Sequence, residues 1–115
     1  MDIETLRKIC LSLPAVTEDV KWDHDLVFSV GGKMFCVCSL EPPFTCSFKV
    51  TDELFSELSN RVGFKPAPYM ARAKWVMVEN SSGINRSDWI SYVRNSYELV
   101  KQKLTRKSRL ELGIR

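Results

Sequence analysis

Between Leu26 and Val50 the chain reads LVFSVGGKMFCVCSLEPPFTCSFKV. Three β-rich runs are separated there by two breakers. Gly31-Gly32 allows a tight turn with positive φ. Glu41-Pro42-Pro43 ends the second run, because proline lacks the N–H a ladder needs and holds its predecessor extended. Strands joined by connections this short pair antiparallel. The runs Leu26–Val30, Lys33–Leu40 and Phe44–Val50 therefore point to an antiparallel meander at the centre of the fold.

Helical signals flank it. Ile3, Leu6, Ile9, Cys10 and Leu13 recur at helical spacing, with Asp2 as cap and Pro14 as stop. Thr51 is a fair N-cap for a helix from Asp52 to about Asn60. Two prolines keep Phe64–Tyr69 out of regular helix, with room for a short strand near Phe64. Ala73–Glu79 reads as a strand and Asn80–Gly83 as a turn. From Arg86 onward Trp89, Ile90, Val93, Tyr97, Val100 and Leu104 share one helical face. The order α-β-β-β-α-β-α predicts an α+β fold of two layers, an antiparallel sheet with helices packed on one face.

Length fits one domain over residues 1–115, and 44% hydrophobic with 27% charged residues is a globular composition. No apolar run approaches the ~20 residues of a membrane helix. Asp2 and Glu4 stand where a secretory leader would be basic, so a cytoplasmic protein with no membrane partner is expected. Net charge is +3, yet residues 101–115 hold six basic groups and one acid, which leaves the first hundred residues at −2. The basic tail, 105–115, reads equally as an attraction for phosphates or as a solvated helix end.

Cys36 and Cys38 share one strand face with Met34 and Leu40, and Cys46 shares one with Phe44, Phe48 and Val50. With Glu41–Pro43 as the loop, Cys38 lies opposite Cys46. C-x-C within one strand and a single histidine do not make a zinc pattern, and no C-x-x-C is present. Core packing is the favoured reading for all four thiols, Cys10 included. No metal and no cofactor are expected. In Trp22-Asp23-His24-Asp25 the histidine could act as a base, but its neighbours in an extended segment point to opposite sides, so a polar turn is preferred. No phosphate-binding or nucleophile motif occurs, and no catalytic residue is assigned. Lys65, Tyr69, Arg72, Lys74 and Trp75 place cations and aromatics along a stiff segment. They suit phosphate contact and base stacking, or else aromatics packed inward under snorkelling cations.

The stretches LSLPAVTEDVKW, FSVGGKMFCV, FKVTDEL, APYMARAKWV and SYELVKQKL occur in that order. On them the chain resembles the MmcQ/YjbR family of small bacterial proteins, from the first helix through Leu104. The resemblance implies α-β(3)-α-β(2)-α topology, similar to type III secretion chaperones. It also implies DNA binding, for which a double-wing motif has been proposed, and no enzymatic activity. The family's basic and aromatic positions fall on Lys33, Lys49, Tyr69, Lys74 and Trp75. Many relatives carry GYHMNKKHW where this chain has APYMARAKW, so the histidines and asparagine of that version are missing and Arg72 stands in their region. The expected function is a non-enzymatic module contacting double-stranded DNA weakly and non-specifically through Lys33, Lys49, Lys65, Tyr69, Arg72, Lys74 and the tail. The alternatives are a chaperone-like adaptor that binds a protein partner or forms a homodimer, and a small-ligand or catalytic pocket near Tyr69, His24 and Trp75.

Overall fold

A computed structural model describes the whole chain, Met1 to Arg115. Helix α1 (Ile3–Leu11) begins where the Asp2 carboxylate accepts the Thr5 N–H at 2.7 Å. Strands β1 (Val16–Lys21), β2 (Asp25–Val30), β3 (Lys33–Ser39) and β4 (Cys46–Lys49) follow, then helix α2 (Asp52–Ser59) behind its Thr51 cap. Strand β5 (Phe64–Pro66), a 3-10 turn at Ala71–Ala73, and strand β6 (Trp75–Val78) lead to the long helix α3 (Arg86–Lys101) and the short α4 (Arg106–Glu111). The six strands form one antiparallel sheet in the order β1-β2-β3-β4-β6-β5. The expected α+β architecture is thus present, extended by two elements, β1 and α4.

The helices cover one face. Trp89, Val93, Tyr97 and Val100 of α3 pack with Leu6 and Ile9 of α1 and Leu58 of α2 over Phe28, Cys36, Phe48 and Val76. Phe35 meets Tyr97 edge-on at 5.5 Å, and Phe48 stacks on Tyr92 at 5.1 Å. All four cysteines are free and buried in this layer. Cys38 lies opposite Cys46 as the loop length predicts, while Cys46 meets the Cys36 sulfur on the diagonal at 3.5 Å. Burial pushes Cys38 up to about 12 and Cys46 well above the ordinary thiol range. Within the Cys10–Cys36–Cys46 trio, S–H bonds from Cys10 first and Cys46 second lower Cys36, while Cys10 rises. No cation contributes to any of these shifts, so burial favours the neutral thiols.

One face assignment changes. Phe28 pairs with Cys36 but Ser29 pairs with Met34, so Phe35 is an extra residue in β3. This bulge turns Phe35 into the helical core and sends Met34 to the opposite face, although strict alternation places Met34 beside the cysteines. Leu40, expected inward, lies past the strand end and is exposed.

Strand β1 escapes the sequence reading because VTEDVK has only two apolar residues, four apart, and its middle four residues are exposed. It is an edge, held by its ladder to β2 and by the Arg7–Glu18 ion pair to α1 at 2.6 Å. The basic segment 105–115 is not a loose tail. Thr105 caps α4 through the Ser108 N–H, and Ile114 is buried in the core cluster.

Candidate functional site

The second face of the sheet carries no helix. Alternation gives Val76 and Val78 to the helical core, so Met77 points the other way, and the register aligns it with Ser47 and, one strand further, Val37. These three form the floor of a groove of about 570 Å³. Met34 enters the same wall because of the bulge. The segment Ala67–Met70 forms the other side as it folds back from β5. Trp75 is buried outside the helical core cluster, as are Val27 and Ala67, so this face has a small apolar layer of its own. On β6 Trp75, Val76 and Val78 are thus buried and Met77 half-buried, a division the sequence left open.

Two aromatic side chains stand at opposite corners of the groove. Trp22 belongs to the β1–β2 turn and is 60% exposed, and Tyr69 follows β5 and is 106% exposed. Both have left-handed backbones, φ 54° and 66°, and Asp23 beside Trp22 has φ 63°. Positive φ at both central residues makes a tight hairpin turn, closed by the His24 N–H to the Lys21 carbonyl at 3.3 Å. Side chains without a glycine's freedom held in this region cost on the order of 1–3 kcal/mol each, and such strain gathers at binding sites. Asp25 and Ser47 supply polar groups to the groove.

The expected DNA contacts fall in different places. Lys33 opens β3, Lys49 closes β4, and Arg72 and Lys74 precede β6. Antiparallel pairing brings these four to one end of the sheet, beside Gly31, whose neighbour in space is Leu104. Lys33 and Arg72 are exposed. Lys49 donates to the Ala73 carbonyl, and burial, then Lys103, lower its pKa. Lys74 lies 5.0 Å from the centre of the Phe55 ring. Lys65 is set apart on β5, paired with Glu79 at 2.7 Å, and Tyr69 lines the groove. His24 meets Glu41 at 3.4 Å, not its flanking aspartates, and neither His24 nor Trp75 lines the groove. No group of three or more His, Cys, Asp or Glu side chains has the geometry to hold a metal ion, and no helix is long and apolar enough to cross a membrane.

The YjbR family model matches residues 11–99, from the last turn of α1 to the last turn of α3. The chain belongs to the YjbR family. The YjbR chain is also similar to the crystal structure of a Deinococcus radiodurans protein with a DUF419 domain. Identity is 29% and the TM-score 0.87, over 98% of this chain and 88% of that one. A Pseudomonas syringae structure shares the fold at 17% identity and a TM-score of 0.72, over 87% of this chain and 99% of the other. No curated protein matches. Sequence reasoning missed Trp22, Met34, Ser47 and Met77 as site residues. Ser47 and Met77 were readable from alternation, whereas Met34 is placed by a bulge and Trp22 by a turn whose sequence is not a usual turn sequence.

Proposed function

We propose that this YjbR protein is a non-enzymatic module that binds duplex DNA, weakly and without reading sequence, through the basic end of its sheet. One observation carries the reading. The −2 charge of residues 1–100 averages two unlike ends of the sheet. Lys33, Lys49, Arg72 and Lys74 gather at one end, where Lys103 from beyond residue 100 joins them, against Asp52 and Glu53 at the start of α2. Asp23, Asp25, Glu41 and Glu79 outnumber Lys21 and Lys65 at the other. Such a polarised surface orients on a phosphate backbone even when net charge is small. The non-catalytic part is supported by the buried thiols and by the solvent exposure of the His24–Glu41 pair.

Anisotropy titration of a labelled duplex against salt tests this. Four or five phosphate contacts give a log–log slope of about −4, unchanged when the DNA sequence is scrambled. Lys33→Gln, Arg72→Gln and Lys103→Gln should each make the slope shallower by about 1, and Lys65→Gln, remote and paired with Glu79, should not. Absence of binding at about 50 mM salt rejects the reading.

Pairing with a second copy has one observation in its favour. β1 is a six-residue edge strand, while the other edge, β5, has three residues and ends at Pro66. A long free edge can accept another strand. Sedimentation should then show a dimer that Val20→Pro converts to monomer, since the added proline removes a donor from that edge. A monomer at all concentrations excludes it.

A further inference from the structure

We infer that the groove on the helix-free face binds a small organic cation with a flat apolar body. This inference goes beyond the DNA reading and does not depend on it, because none of the cations of that reading lines the groove. Its volume of about 570 Å³ falls in the range of sites for single small ligands. Its walls are dominated by apolar side chains, among them the thioethers of Met34, Met70 and Met77, which mould to flat rings.

The polar groups fix the class further. Asp25 is the one ionisable carboxylate in the lining and forms no ion pair; Lys21, opposite it in the ladder, lies beyond pairing distance. Ser47 is only 6% exposed and lies in the floor of the groove. A ligand ammonium would meet the carboxylate, and Ser47 would accept or donate one hydrogen bond at the floor. Trp22 and Tyr69 present exposed rings at the rim, and ring faces attract cations. An anion would instead face Asp25, and no Lys or Arg side chain lines the groove to receive it.

Three probes that share one ring system provide the test: 1-naphthylmethylammonium, the neutral 1-naphthalenemethanol, and 1-naphthoate. Affinity is read by calorimetry and place by the methyl resonances of the four methionines. The ammonium should bind about ten-fold more tightly than the alcohol, a charge-pair and cation–π increment, and the carboxylate most weakly. Met34, Met70 and Met77 should shift while Met1 stays. Asp25→Asn should remove the advantage of the ammonium and leave the alcohol unchanged, which also shows that the variant is folded. Tyr69→Ala should weaken both. Equal affinity for the three probes, or preference for the carboxylate, overturns the charge class. No shift of the groove methionines with any probe overturns the site itself.

Discussion

Ser96→Ala should lower the stability of the chain by about 2–4 kcal/mol although it removes one oxygen atom. Ser96 is fully buried at the middle of α3. Its hydroxyl donates to the Phe35 carbonyl at 2.5 Å and accepts the Lys49 N–H at 2.9 Å. Phe35 is the bulged residue of β3, and Lys49 is the last residue of β4. Both backbone groups lie where the regular ladder has stopped providing partners. Alanine leaves a donor and an acceptor stranded under a helix, each costing about 1–3 kcal/mol. Chemical denaturation should show the midpoint falling at unchanged slope, and thermal melting should show a drop of roughly 8–15 °C for a domain of this size. Ser91→Ala on the exposed side of the same helix should stay within about 0.5 kcal/mol. A Ser96→Ala loss as small as that of Ser91→Ala would mean that the Phe35 and Lys49 groups find other partners.

That hydroxyl also marks what a sequence can and cannot disclose. The meander between Leu26 and Val50 was legible because its turns are written in residues with special backbone needs, Gly31-Gly32 and Glu41-Pro42-Pro43. The face of α3 was legible because burial repeats at helical spacing, and Ser96 sits within that buried stripe without any apolar signature to mark it. The bulge at Phe35 was not legible, since nothing local distinguishes one extra residue in an apolar run. It moved Met34 from the core to the groove. The four cations at one end of the sheet are 16 to 25 positions apart in part, Lys33 to Lys49 and Lys49 to Lys74. Only the strand register shows that they are neighbours, and only it separates Lys65 from them. Strand β1 and its Trp22 turn were hidden for the opposite reason: an exposed edge needs no apolar alternation, so it leaves none to read.

Gly63→Ala should cost about 2–4 kcal/mol, and more than Gly32→Ala, although both glycines have positive φ. Gly63 has φ +91° and Gly32 has φ +79°, so each alanine would suffer a left-handed backbone, worth about 1–2 kcal/mol. At Gly32 a methyl group meets nothing within 4 Å. At Gly63 it would stand 2.7 Å from the Asn80 carbonyl oxygen, a backbone atom that cannot rotate away. The Gly63 carbonyl meanwhile accepts the Glu79 N–H at 2.8 Å and the Asn80 N–H at 3.2 Å, so the clash forces apart the contact that closes β5 onto β6. A strand of three residues has little else to hold it. Hydrogen exchange should therefore accelerate first at Glu79, Asn80 and the Ala67 N–H, which bonds the Trp75 carbonyl at 3.0 Å. Ala67–Met70 is one wall of the groove, so the same variant should weaken the naphthyl probes before the domain unfolds. Gly32→Ala, at the basic end, should leave those probes alone. If the two variants lose equal stability, the close approach at Asn80 is not what fixes glycine at position 63. If Gly63→Ala binds the probes normally, the Ala67–Met70 wall does not depend on β5 for its position.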